Sequence, residues 1–304
     1  MKAIVTGADG FVGSALVGNL LANGYEVLAL DISPRPVRLK EHPSLIYLPL
    51  PIENIEKLES EVSQGSVDFF FHLAWRGAAG SLREDEKVQL DNALLTASCL
   101  REAAKLGCRK FVCSGSIMEY EANSVTYEQG TKPALFYIYG AGKAVAHVIC
   151  KPIANALGIS LVWAYITNAY GVGESSPRFL NSTLRKIRKV EKLEFTAGVQ
   201  NYDFVYVDDV AEAFRLLAEK GHANKGYMIG SGQAKPLKGF IEELIEELKP
   251  KEEPRFGNVP YTGVMTPLET FDISEIVKDC GFRAKVPFRE GVRRTYEWLK
   301  ATEK

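Results

Sequence analysis

The chain has 304 residues, of which 46% are hydrophobic, 25% charged and 10% aromatic, a composition that fits a globular enzyme of one large or two closely joined domains and excludes disordered, collagen-like and coiled-coil classes. Lysine and arginine number 37 against 38 aspartates and glutamates, a formal net charge of −1, so no global positive field draws the chain to nucleic acid or to an anionic membrane. Five cysteines without a Cys-x-x-Cys pair suit reduced thiols, four scattered histidines offer no metal motif, and no apolar run approaches the ~20 residues of a membrane span. A soluble, cytoplasmic protein is expected.

Short apolar runs alternate with segments of helical period. Strands are predicted at 3–6, 26–30, 69–73, 110–114 and 160–164, and helices at 11–23, 54–64, 84–106 and 139–157. Four such alternations imply right-handed βαβ units, hence a Rossmann-type, doubly wound parallel α/β sheet whose ligands bind at the carboxyl ends of the strands. Beyond about residue 170 the alternation weakens, although 204–207 with 208–214 reads as another strand and helix, and 226–229 as a further strand. The expected division is a dinucleotide-binding domain at 1–173, to which 201–230 returns, and a smaller, discontinuous α/β substrate domain at 174–200 and 231–304.

Gly7, Gly10 and Gly13 stand between the first strand and the first helix. Gly7 permits a tight turn, Gly10 lets the backbone approach a pyrophosphate, and Gly13 allows the helix to pack closely on the strand while its N-terminus supplies amide donors. The second strand ends at Asp31, whose carboxylate can accept both hydroxyls of an adenosine ribose and would repel a 2′-phosphate, which favours NAD over NADP. Asp31 could instead be a loop carboxylate, and Arg35 and Arg38 nearby could receive a 2′-phosphate.

Tyr139 and Lys143 lie four residues apart, on one face of the fourth helix. A neighbouring ammonium favours the tyrosinate, so the phenol can serve as a base. This spacing recurs by chance, but Ser116 at the end of the preceding strand would bring a hydroxyl to the same crevice.

The glycine loop from Thr6 to Gly13, Asp31, His72 with Leu73 and Ala74, Asn92, Ser116, Tyr139 with Lys143, Asn168 to Gly171, and Asp203 to Asp209 together resemble the extended short-chain dehydrogenase/reductases, including the NAD-dependent epimerase/dehydratase family that acts on nucleotide sugars. The resemblance implies that Gly7, Gly10, Phe11, Val12 and Gly13 hold the cofactor pyrophosphate and Asp31 its ribose. It implies that Leu73, Ala74 and Ile166 line the cofactor cleft, with Asn92 in support. Tyr139 would be the acid/base, Lys143 would bind the nicotinamide ribose, and Ser116 and Asn168 would contact the sugar. Gly230 to Gly232, Asp272 with Ser274, and the segment 291–298 also fit.

Departures from the family pattern narrow the chemistry. The dehydratases carry an Asp-Glu pair where this chain has Ile117 and Met118, neither of which transfers a proton. A UDP-glucose 4-epimerase-like isomerase is expected, with an NAD(P)H-dependent 4-ketoreductase of a 4-keto-6-deoxy sugar as the alternative and a non-catalytic dinucleotide sensor behind both. For the substrate diphosphate, Arg255 matches one family arginine, Tyr202 replaces another, and Arg178 or Arg185 could fill that gap. Tyr165 stands where a sugar-binding arginine is common. The resemblance implies a homodimer through the helices at 84–106 and 139–157, whose apolar residues include Leu90, Leu94, Leu95, Val145, Val148 and Ile149, although those residues could equally pack on the sheet.

Overall fold

The computed structural model describes residues 1–65, 67–130, 133–261 and 263–303. Its strands are β1 (Lys2–Thr6), β2 (Glu26–Asp31), β3 (Leu45–Pro49), β4 (Phe69–His72), β5 (Lys110–Ser116), β6 (Ser160–Ile166), β7 (Asn168–Tyr170), β8 (Leu193–Phe195), β9 (Asn201–Tyr202), β10 (Phe204–Tyr206), β11 (Lys225–Ile229), β12 (Lys235–Pro236) and β13 (Pro254–Phe256). Its helices are α1 (Phe11–Ala22), α2 (Leu58–Glu61), α3 (Glu86–Lys105), α4 (Met118–Tyr127), α5 (Tyr137–Leu157), α6 (Phe179–Lys189), α7 (Val207–Lys220), α8 (Leu237–Leu248), α9 (Ser274–Cys280) and α10 (Phe288–Thr302).

Seven strands form one sheet in the order β11-β6-β5-β4-β1-β2-β3, parallel at every junction. The chain winds outward from β1 to β3, then returns to place β4 on the other side of β1. A crevice opens at such a reversal, beyond the carboxyl ends of the strands.

Strand alternation divides the core. Ala3 and Val5 point into a cluster under α1 and α7, with Leu16, Leu20, Phe214 and Leu217. Ile4 and Phe70 point the other way, against Leu100 of α3 and Ala146 and Cys150 of α5. Phe70 and Phe71 are fully buried, and each such burial contributes roughly 1.5–3 kcal/mol relative to exposure. A third cluster, around Leu184, Phe204, Phe240, Ile241 and Val292, joins β10, α6, α8 and α10. Asp209 staples this region to the first, because its carboxylate accepts the amides of Lys285 and Val286 at 2.9 and 3.0 Å.

Several elements depart from the predicted pattern. The segment predicted as a helix at 54–64 is a 3₁₀ turn (Ile52–Lys57) broken at Asn54, whose φ of −116° is not helical, followed by the single turn α2. β3 escaped prediction as an edge strand bracketed by Pro43, Pro49 and Pro51, with Ile46 in solvent. α4 escaped because its buried positions, Glu119 and Ala122, form no apolar stripe. Residues 204–206 pair with β7 in a small separate sheet, and Val207 opens the helix that follows. Of the six apolar residues on α3 and α5, Leu95, Val145 and Ile149 pack onto the core, while Leu90, Leu94 and Val148 are 50%, 61% and 73% exposed. All five cysteines are buried and free. Among the described residues no helix is long and apolar enough to cross a membrane, and no cluster of His, Cys, Asp or Glu could hold a metal ion.

Candidate active site

Backbone shape dominates the first half of the site. Gly7 follows β1 with a φ of +66°, and a Cβ there would stand 2.7 Å from the Ala74 amide nitrogen. A Cβ on Gly13 would land on the Gly7 carbonyl oxygen. Glycine is therefore a steric requirement at both positions, and it brings the end of β1, the loop after β4 and the N-terminus of α1 together. Asp31 accepts from the Asp9 amide at 2.9 Å and the Ile32 amide at 2.8 Å, which holds its carboxylate at the end of β2. Asp9 in turn accepts the amides of Val37, Arg38 and Leu39 at 2.7, 2.7 and 3.0 Å. The Arg38 guanidinium folds back onto the carbonyls of Asp9 and Gly173.

Gly7, Gly10, Phe11, Val12, Gly13, Asp31, Leu73, Ala74 and Asn92 all line one cleft of about 530 Å³. Its glycine floor leaves room for a phosphate to approach the backbone, and Asp31 offers a fixed ribose acceptor, so these residues fit a dinucleotide. Asn92 reaches the cleft wall while acting on the loop after β4: its amide accepts the Arg76 N–H at 3.0 Å and donates to the Arg76 carbonyl at 2.7 Å. His72 is buried between the hydroxyls of Thr6 and Thr96. Burial, aided by Lys143, pushes its pKa down to about 3, so it is a neutral structural imidazole.

A cavity of about 690 Å³ adjoins the cleft, and Ser116, Tyr139, Lys143, Ile166, Asn168 and Arg178 all face it. Tyr139 and Lys143 lie one turn apart on α5, both largely buried. Two glycines between them let neighbouring helices close in. A Cβ on Gly140 would meet the Met118 carbonyl of α4, and one on Gly142 would stand 2.8 Å from Cβ of Gln89 on α3. Lys143 donates to the Ser114 carbonyl at 2.7 Å, and its ammonium lies 3.7 Å from the centre of the Trp75 ring. The Ser116 Oγ accepts the Met118 amide at 3.2 Å, so its own proton is available to a ligand.

Arg83 and Glu121 were missed by sequence reasoning, and Trp75, which follows His72, Leu73 and Ala74 in a stretch similar to that of deoxysugar 4-ketoreductases, was not assigned to the site. Trp75 lines both cleft and cavity, meets Tyr139 edge-on at 6.2 Å, and is anchored by donating to the Gln89 side chain at 2.7 Å. Arg83 lies 4.2 Å from the centre of the Tyr139 ring and donates to the Ala78 carbonyl at 2.9 Å. Glu121 faces the cavity one turn beyond Ile117 and Met118. Burial pushes its carboxyl up to about 7, against the opposing pull of Arg83 and the Thr266 hydroxyl. Burial also raises the phenols of Tyr137, Tyr202 and Tyr261, which keeps them neutral hydrogen-bonding groups around that carboxyl. A carboxylate one turn after the two positions where the dehydratases carry their acid pair was the only available signal for Glu121.

Three substrate-side candidates fall elsewhere. Arg255 is the exposed residue of the half-buried strand β13 and lines neither cavity nor cleft. Arg185 is taken by an ion pair with Glu303 at 2.6 Å and by the carbonyls of Ser175 and Ser176. Tyr165 packs on Tyr120 and contacts His147 at 3.0 Å, outside the cavity lining. Tyr202 does line the cavity. Glu119 is consumed by the Ser116 amide and the Trp163 indole. Asp203 accepts from the amides of Ser231 and Gly232 and from the Ser231 hydroxyl, which accounts for the Gly230 to Gly232 turn as a structural clamp.

A family model described as the NAD dependent epimerase/dehydratase family matches residues 3–230. The chain is 24% identical to a dTDP-4-dehydro-6-deoxyglucose reductase of Escherichia coli, over 98% of this chain and 97% of the relative. It is 25% identical to a UDP-glucose 4-epimerase of Mycolicibacterium smegmatis, over 99% of each. Among solved structures, the UDP-N-acetylglucosamine 4-epimerase of Methanobrevibacter ruminantium M1, in complex with UDP-N-acetylmuramic acid, superposes with a TM-score of 0.82 at 21% identity, covering 99% of this chain and 98% of that one.

Proposed function

This chain belongs to the NAD-dependent epimerase/dehydratase family, and from that premise we propose that it is an NAD-dependent nucleotide-sugar 4-epimerase, working through a transient 4-keto sugar. One observation carries the reading: Ser116, Tyr139 and Lys143 face a single cavity that adjoins the glycine-floored cleft. NAD, when bound in that cleft, supplies the acceptor and donor of hydride.

The chain's own residues handle the proton and the orientation. Tyr139 takes the C4 hydroxyl proton as that carbon is oxidised and returns it on reduction. Ser116 donates its free proton to the same oxygen and so fixes the carbinol against the phenol. The Lys143 ammonium, held by the Ser114 carbonyl and the Trp75 face, keeps a positive charge beside the phenolate and orients the nicotinamide ribose. Asp31 holds the adenosine ribose and selects NAD. Asn168, anchored through the Asp203 carbonyl at 3.2 Å, presents its amide to the sugar, and Arg178 approaches the diphosphate. Ile117 and Met118 pass no proton and shield the reacting carbon from water.

A second reading, the 4-ketoreductase, is favoured by the chain's match, over 98% of its length, to a dTDP-4-dehydro-6-deoxyglucose reductase. Five buried thiols suit action in the cytoplasm, and Leu90, Leu94 and Val148 suit a homodimer through α3 and α5.

The test is incubation of the purified protein, without added cofactor, with UDP-glucose, UDP-galactose and their N-acetyl forms, followed by NMR of the anomeric protons. Interconversion supports the epimerase. Its absence, with NAD(P)H oxidised by a 4-keto-6-deoxy sugar nucleotide, moves the assignment to the reductase, and silence in both overturns the catalytic reading.

A further inference from the structure

We propose that Asp9 is a positioning residue for cofactor choice: by gripping the backbone of the loop after β2, it holds Arg38 away from the adenosine ribose, so that the loop offers no cation to a 2′-phosphate. The inference rests on Asp31 holding that ribose and is independent of which sugar reacts.

Asp9 lies inside the glycine turn, between Gly7 and Gly10, and is only 6% exposed. A buried carboxylate is costly unless its oxygens find partners, and here the partners are backbone. Oδ2 accepts the Val37 amide at 2.7 Å, and Oδ1 accepts those of Arg38 and Leu39 at 2.7 and 3.0 Å. Charge-assisted bonds of this kind are the strong ones, and three of them on consecutive amides fix the path of the chain. The loop is held at its other end by the Tyr47 hydroxyl, which donates to the Ser33 carbonyl at 2.7 Å. Burial, with Asp31 and Asp9 close by, pushes that phenol up to about 12 and keeps it a donor. Pro34 and Pro36 stiffen the span between the two anchors, since each has a fixed φ.

The consequence falls on Arg38. With its own amide bound to Asp9, its guanidinium turns back to the carbonyls of Asp9 and Gly173, at 3.2 and 3.3 Å. Asp31 and Ile32 line the cleft, whereas Arg35 and Arg38 do not. An arginine near the ribose acid is the means by which this kind of fold accommodates a 2′-phosphate, because its planar fork matches phosphate oxygens. This chain carries such an arginine a few residues after Asp31 and turns it elsewhere. The same turn also presents the ribose acid, since the Asp9 amide donates to the Asp31 carboxylate at 2.9 Å.

The experiment is calorimetric titration of the full-length protein with NAD and with NADP, in wild type, D9A, D9N, R38Q and D9A/R38Q, with thermal melts to verify folding. D9A should narrow the preference for NAD at least tenfold, chiefly through tighter NADP binding. D9N keeps an acceptor for Arg38 and Leu39 but loses the one for Val37, and should narrow the preference less. R38Q should bind NADP within twofold of wild type, because its guanidinium is already turned away, and D9A/R38Q should return NADP to about the wild-type affinity. A merely structural Asp9 would weaken both dinucleotides together, so an unchanged ratio in folded D9A overturns the proposal. A tenfold loss of NADP affinity in R38Q alone also overturns it, since Arg38 would then already reach the phosphate, as does a D9A/R38Q protein that keeps the whole gain. If D9A does not fold, D9N decides: a narrowed ratio supports the proposal and a wild-type ratio overturns it. Equal wild-type affinity for NAD and NADP would remove the preference itself, and with it both the Asp31 assignment and this one.

Discussion

The glycine-floored cleft and the adjoining cavity are built on different principles. The cleft is a product of backbone: Gly7, Gly10 and Gly13 act by lacking a side chain, and Asp31 ends the strand beside them, all within 31 residues of the N-terminus. The cavity is a product of side chains drawn from separated segments: Arg83 before α3, Ser116 on β5, Glu121 on α4, Tyr139 and Lys143 on α5, Tyr202 on β9 and Thr266 in a late loop. A site made of backbone tolerates no added atom, whereas one made of side chains should change in degree as single groups are removed.

The sharpest way to break this contrast is Gly13→Ala. With its Cβ directed at the Gly7 carbonyl, the variant should show no measurable NAD binding by calorimetry, and wild-type affinity would mean that the close approach is dispensable. Tyr139→Phe is the counterpart in the cavity. It should bind NAD normally yet lose at least about 99% of turnover, on the order of 3 kcal/mol of transition-state stabilisation, and normal turnover would remove Tyr139 from the acid/base role. Asp31→Ala should weaken NAD binding about tenfold while leaving NADP binding nearly unchanged, as titrations with both dinucleotides would reveal.

An effect on stability sharpens the comparison rather than testing it at its root. Because the Glu121 carboxyl is raised to about 7 in the folded protein, the folded state binds a proton that the unfolded chain releases at lower pH, so stability declines as pH rises from the ordinary carboxylate range to about 7. Glu121→Gln removes that penalty. Urea denaturation should find the variant more stable than wild type at pH 8, by about 2 kcal/mol, and equal to it near pH 4. Equal stability at pH 8 would show that Glu121 is solvated.

Legibility in the sequence follows the same divide. The glycine loop was readable because a tight turn and a close helix approach demand glycine locally. The Tyr139–Lys143 pair was readable because helical period alone puts them on one face. Arg83 was not, since nothing in the segment around it says that its guanidinium folds over a ring 56 residues later in the chain. Arg255 had the expected local context and still lies away from the cavity, because β13 pairs with β8 in a separate two-stranded sheet and its middle residue faces solvent. Edge strand β3 and helix α4 were hidden for a related reason, since neither carries the periodic apolar pattern that a buried face imposes.

By itself, then, the sequence determined the parallel α/β sheet, the glycine turn between β1 and α1 and the one-turn spacing of Tyr139 and Lys143, all of which depend on short-range sterics and on hydrophobic period. The tertiary structure alone decided which charged groups share the cavity: Arg83, Arg178 and Glu121 inside, Arg185 and Arg255 outside. Long side chains are placed by the packing of distant segments, and their charges are set by the burial that this packing creates.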